Sequence, residues 1–151
     1  MRARQISVIG SGSEWEAQAE QLGRLLAERG CTVVTGAGAE VMAAAARGAR
    51  QAGGQTIGIL PGESPSEANE WIDFAVATGI GHARNLAVAA SGDAVIAIGG
   101  SWGTLSEIAF ARRLGRPTVL LAGGVAVEDE GILRASTPEE AVELALLALE
   151  A

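Results

Sequence analysis

Asp93–Glu107, D-A-V-I-A-I-G-G-S-W-G-T-L-S-E, decides how the rest of this 151-residue chain is read. Ala94–Ile98 is a short, β-branched apolar run, the mark of a strand buried in a parallel sheet. It stops at Gly99-Gly100, turns through Ser101-Trp102-Gly103, and a helix is expected to open at Thr104. A glycine turn between a strand's carboxyl end and a helix's first turn leaves unpaired N–H groups facing one small volume. The helix dipole makes that volume attractive to an anion. The stretch therefore predicts a phosphate-bearing ligand over Gly100–Thr104.

Outward from there, the same strand–glycine–helix unit recurs. Gln5–Ile9 reads as a strand ending at Gly10-Ser11-Gly12, and Ser13-x-x-Glu16 has capping-box spacing for a helix over about Glu14–Arg29 that Gly30 stops. Thr32–Thr35 is a strand, then Gly36-Ala37-Gly38 and an alanine-rich helix over about Glu40–Ala52; Gln55–Leu60 is a third strand. Such repetition predicts one α/β domain over residues 1–151, a doubly wound, mostly parallel sheet with helices on both faces. Beyond it, Glu63–Glu70 reads as a loop, Asp73–Ala77 as a short strand, Gly81–Ala90 and Leu105–Leu114 as helices, and Thr118–Leu121 as a strand. Gly123–Gly131 reads as a loop, Ile132–Ala135 as an edge strand, and Thr137-Pro138-Glu139-Glu140 as the cap of a last helix to about Glu150.

Composition removes several functions. A net charge of -7 argues against a nucleic-acid surface or an anionic membrane as partner. All eleven basic residues are arginine. Without lysine there is neither a pyridoxal-phosphate Schiff base nor a Gly-Lys-Ser/Thr P-loop. One His and one Cys all but exclude a nitrogen–sulfur metal cage, so no metal and no cofactor is expected. The mean hydropathy of +0.27 is high, yet no apolar run approaches the roughly 20 residues of a membrane span. Ile6–Ile9 is too short for a signal-peptide core, and the lone Cys31, expected to pack at a strand start, suits a reducing compartment. A cytoplasmic protein is expected.

Gly10-Ser11-Gly12 invites a dinucleotide reading, but the third fingerprint glycine would fall at Trp15, and Thr35-Gly36 rather than an acid closes the second strand. The turn is still expected to line a nucleotide pocket. Thr104-x-x-Glu107 is open to two readings: a structural capping box, or a carboxylate facing the ligand. Between Ala75 and Ala90 the ionisable side chains are His82 and Arg84 alone. Arg84 is thus the concentrated positive charge an acidic protein needs to hold phosphate, and His82 is read as a helix-start residue.

Gly99-Gly100-Ser101-Trp102-Gly103-Thr104-Leu105-Ser106-Glu107, with Arg84 on the preceding helix, resembles the P-G-G-x-G-T-x-x-E motif of the LOG (Lonely Guy) family, once labelled "possible lysine decarboxylases". The resemblance runs from Val8 to about Gly115. It implies a Rossmann-like sheet, a homodimer or homotetramer, and a pocket for nucleoside 5'-monophosphates whose N-glycosidic bond is cleaved. By the same resemblance, Gly99–Thr104 hold the phosphate, Glu107 steadies positive charge on the ribose or orients water, and Arg84 holds substrate; Gly10, Ser11, Gly12, Gly36, Gly38, Thr78, Gly79 and Asn85 line the pocket. The sequence departs from the motif at Ile98, at Arg84-Asn85 where the family has Arg-Lys, and near Glu40-Val41, where a family glycine is replaced. Thr78-Gly79-Ile80-Gly81-His82-Ala83-Arg84-Asn85 looks more like a neighbouring subgroup that includes molybdenum-cofactor carriers, which bind a phosphorylated pterin. The expected function is therefore cleavage of the N-glycosidic bond of an AMP-like nucleoside 5'-monophosphate, with non-catalytic carriage or sensing of a phosphorylated heterocycle such as molybdenum cofactor as the alternative. The decarboxylase label fails for want of a lysine.

Overall fold

The computed structural model describes residues 1–124 and 126–151. Seven strands form one sheet: β1 (Gln5–Ser11), β2 (Thr32–Thr35), β3 (Thr56–Leu60), β4 (Phe74–Ala77), β5 (Ala94–Gly99), β6 (Thr118–Ala122) and β7 (Ile132–Arg134), in the spatial order β4-β3-β2-β1-β5-β6-β7. Every pairing is parallel. Four α-helices join strands, α1 (Glu16–Glu28), α2 (Val41–Gln51), α3 (Arg84–Ser91) and α4 (Trp102–Arg113), and α5 (Pro138–Glu150) follows β7.

Period-two alternation splits the strand residues between two cores. Ile6, Val8, Val33, Ile96, Ile98, Val119 and Leu121 pack under α1, α2 and α5. Ile9, Val34, Ile59, Val95, Ala97 and Leu120 pack under α3 and α4. Central strands buried on both sides must be apolar throughout, and β5 is buried at all six positions. β1 and β5 lie side by side while their connections leave in opposite directions, so the chain's winding reverses between them. A crevice opens at their carboxyl ends, where doubly wound sheets bind ligands. At the crevice the backbone of Gly10 passes so close to β5 that a Cβ there would lie 1.7 Å from the Ile98 carbonyl oxygen.

Several element starts differ from those read off the sequence. β1 runs on through Gly10 to Ser11. Ser13–Trp15 form a 3-10 turn and α1 begins at Glu16 with Trp15 as its cap, so the expected Ser13 box is not formed. Gly81–Ala83 are likewise a 3-10 turn before α3. β4 starts at Phe74 because the Asp73 carboxylate turns back to accept from the Thr56 amide at 2.9 Å. The Glu63–Glu70 loop contains a 3-10 turn at Pro65–Glu67. In the Gly123–Gly131 loop, residue 125 lies outside the described residues. At α5 the expected cap is present: the Thr137 hydroxyl accepts from the Glu140 amide at 3.1 Å, and the Glu140 carboxylate accepts from the Ser136 amide at 3.0 Å.

Candidate functional site

The decisive turn is tighter than its sequence suggests. Gly99 and Gly100 both take positive φ, 60° and 109°, which reverses the chain within two residues. α4 therefore begins at Trp102, two residues before the expected Thr104, with Ser101 as its cap and no side-chain capping bond. Thr104 and Glu107 lie inside the helix rather than forming a box at its start. Both are buried, 5% and 7% exposed. The Glu107 carboxyl is thereby free of the structural task that the capping reading gave it.

A cleft of about 190 Å³ occupies the crevice between β1 and β5. Of the expected residues, Gly10, Ser11, Gly36, Arg84, Asn85, Ser101, Gly103, Thr104 and Glu107 line it. Gly12, Gly38, Thr78, Gly79, Gly99, Gly100 and Trp102 are not on its walls. Gly99 and Gly100 shape the turn behind it. Thr78 is spent on the fold, its hydroxyl donating to the Leu60 carbonyl at 2.7 Å. Trp102 points outward, 83% exposed, into a shallow groove shared with His82 and Phe110.

Val8, Ile9, Met42 and His82 also line the cleft, and none was expected there as a binding residue. The strand-end pair follows from β1's register beside β5. Met42 follows from α2 starting against the same crevice. No sequence signal singles out Val8, Ile9 or Met42, since each belongs to an element whose role is packing. His82, the chain's one histidine, stands out in the sequence but reads there as a helix-start residue.

Arg84 enters from the first turn of α3 and lies against the bare backbone of Gly36. A Cβ at Gly36 would fall 1.9 Å from a terminal guanidinium nitrogen. The Arg84 Nε is buried with no hydrogen-bond partner. Among the described residues no ion pair joins Arg84 to Glu107, so the cation and the acid face one volume without neutralising each other directly. Asn85 lines the cleft and is held in place: its amide donates to the Ser106 hydroxyl at 3.0 Å, and that hydroxyl donates to the Gly103 carbonyl at 2.6 Å. This chain ties α3 to the first turn of α4 and fixes the distance between Arg84 and the helix N-terminus.

Burial pushes the Glu107 carboxyl up to about 7, with the Arg84 guanidinium opposing part of the rise. Near neutrality the cleft thus holds a fixed cation, the positive end of α4, and an acid poised between its two states. Such a site can grip an oxyanion and can give or take one proton beside it. Gly36→Ala tests the packing of the cation. The clash falls on the far end of a flexible side chain, so the fold is expected to survive with under about 1 kcal/mol lost. Affinity for a phosphomonoester is expected to fall about tenfold as the guanidinium is displaced, measurable by calorimetry.

The fold has counterparts among known proteins. The SLOG cluster4 family model covers residues 3–146. The chain belongs to that family. Within the wider LOG relationship, a probable cytokinin riboside 5'-monophosphate phosphoribohydrolase of Oryza sativa is 35% identical over 102 residues; the match covers 66% of this chain and 42% of that longer protein. Similarity to solved structures extends over the full length. The molybdenum cofactor binding protein of Rippkaea orientalis superposes with a TM-score of 0.90 at 34% identity, covering 100% of this chain and 99% of that one. The molybdenum cofactor carrier protein of Chlamydomonas reinhardtii gives 0.88 at 30% identity, with 99% of each chain covered. This member of the SLOG cluster4 family is thus similar over its full length to molybdenum-cofactor binding and carrier proteins and over about two thirds of its length to the plant protein.

Among the described residues, no helix is long and apolar enough to cross a membrane.

Proposed function

We propose that the protein binds a phosphorylated heterocycle, a pterin or purine phosphomonoester, and carries it rather than consuming it. The observation that supports this most strongly is Arg84, half-buried and with a buried Nε that has no hydrogen-bond partner, sharing a small cleft with Ser101, Gly103 and Thr104 at the start of α4. In this reading the amides and hydroxyls of Ser101, Gly103 and Thr104 receive the phosphate, and Arg84 adds the charge that an acidic chain otherwise lacks. A cleft of about 190 Å³ is smaller than the usual 300–1,000 Å³ of sites that enclose a whole ligand, so the ring system projects from its mouth. Full-length likeness to proteins that bind and carry molybdenum cofactor supports carriage.

Hydrolysis is the second reading, and Glu107 is the observation in its favour. A buried carboxyl with a pKa of about 7 beside a cation suits a group that orients water against the ribose carbon while the base departs. The reading also includes a homodimer or homotetramer in the cytoplasm. Exposed Phe74 and Val76 on β4, and Leu86 and Trp102 on the α3–α4 side, support self-association; the buried free thiol of Cys31 supports a reducing compartment.

The test is direct. Protein purified from a molybdenum-replete host and oxidised is expected to release a fluorescent pterin, and AMP is expected to bind saturably without release of adenine. Release of adenine would replace carriage by hydrolysis. Failure to bind either class of phosphomonoester would remove both.

A further inference from the structure

The β1 turn carries the first two glycines of a dinucleotide fingerprint, and in such a turn the second glycine lets a pyrophosphate approach the backbone. Here that seat is taken. The Gly12 amide donates to the Glu40 carboxylate. A second carboxylate, that of Glu14, lies so near that a Cβ on Gly12 would meet it at 3.0 Å. The Trp15 indole, standing where the third glycine would be, packs beside Gly12, Gly99 and Gly123. β1 and β5 pair Ser11 with Gly99, so this occupied turn lies beside the glycine turn that leads into α4.

Glu40 reaches Gly12 from an unusual backbone. Its φ of 55° and ψ of −121° match the first central position of a type II′ turn, which glycine dominates. Ala37, on the same β2–α2 turn, is the other non-glycine residue with positive φ among the described residues, at 67°. A non-glycine side chain kept in such a conformation is a strained feature that the surrounding structure enforces, and strain of this kind clusters at functional sites. In this conformation the Glu40 carboxylate lies on the Gly12 amide, the group that a pyrophosphate approaches in a dinucleotide fingerprint.

Resting on the phosphate-binding reading above, we infer that Glu40 is a specificity-determining residue that restricts the cleft to phosphomonoesters and closes it to pyrophosphate-linked ligands, dinucleotides included. The phosphate nearest α4 meets amides and Arg84. Gly12 lies just outside the cleft, next to the wall residue Ser11, so a further phosphate that extends past Ser11 meets two carboxylates and an indole. Like charges brought together at an interface discriminate strongly. The effect is electrostatic and lies at an exposed turn, so it weakens as salt rises.

Affinities of AMP and ADP, and of inorganic phosphate and pyrophosphate, are measured in magnesium-free buffer for the wild type, Glu40→Gln and Glu40→Gly. The glutamine variant keeps an acceptor for the Gly12 amide and loses only the charge. The glycine variant suits the backbone and vacates the seat. The wild type is expected to prefer AMP over ADP, and phosphate over pyrophosphate, by about tenfold or more. Both variants are expected to narrow that ratio to within about threefold. A wild-type ratio near one, or a ratio unchanged in Glu40→Gln, overturns the inference while leaving monophosphate binding intact. Failure of all four probes to bind any of the three proteins removes the phosphate reading and the inference with it.

Discussion

Glu107→Gln is expected to make the protein more stable above pH 7 and to flatten its pH dependence below. The acid's ordinary value of 4.5 applies to the unfolded chain, and burial raises it to about 7 in the fold. Below pH 4.5 both states hold the proton and the wild type has its full stability. Between 4.5 and 7 the unfolded chain gives up the proton that the folded chain keeps, so stability falls as pH rises. Above 7 the loss is complete, and over this window it amounts to about 3 kcal/mol. Glutamine removes that slope. Urea denaturation at pH 4.5 and pH 8 measures it: the variant should gain on the wild type at pH 8 and match it near pH 4.5. A wild type equally stable at both values would show that Glu107 is solvated. The same variant separates the two functional readings, since carriage predicts retained ligand affinity, whereas hydrolysis predicts a loss of base release of about 100-fold or more.

Arg84→Ala is expected to weaken binding of a phosphomonoester by about 100-fold, because it removes a fixed cation from a partly desolvated cleft. Lysine at this position restores charge but not the flat guanidinium that lies against Gly36, so Arg84→Lys should recover only part of the loss. A second effect distinguishes this substitution from a simple loss of contact. Arg84 is the charge that holds the Glu107 carboxyl down. Without it the pH at which stability stops falling moves upward. Calorimetry across buffers of different ionisation enthalpy provides the complementary measurement. Phosphate bound near Glu107 disfavours the ionised carboxylate, so binding to the wild type near pH 7 is expected to take up protons. Unchanged affinity in Arg84→Ala would place the anion seat elsewhere.

The largest structural features were legible because they rest on local chemistry. β5 is recognisable from Ala94–Ile98, since a strand buried on both faces has no polar alternation to conceal it. Repeated glycine turns after strands pointed to a sheet wound in both directions. Arg84 stood out as the lone guanidinium in a stretch otherwise poor in charge, and the structure brings it to the same cleft as Glu107. Capping was less legible. The Ser/Thr-x-x-Glu patterns at Ser13, Thr104 and Thr137 look alike on paper, yet of these three only Thr137 caps its helix, because α1 starts three residues after Ser13, beyond a 3-10 turn, and α4 starts two residues before Thr104.

The sequence by itself determined the class of fold, the glycine turn between β5 and α4 and the exclusion of lysine chemistry, since strand patterning, glycine turns and composition need no partner to have meaning. Tertiary structure alone decided that the small-residue helices α1 and α2 pack on each other, where a Cβ on Gly23 would lie 1.9 Å from the Ala45 carbonyl oxygen. It alone set Arg84 over Gly36, buried Glu107, and laid the Glu40 carboxylate on Gly12. Each of these joins residues distant in sequence, and the proton affinity of Glu107 and the openness of Gly12 depend on what the fold puts beside them rather than on their neighbours in the chain.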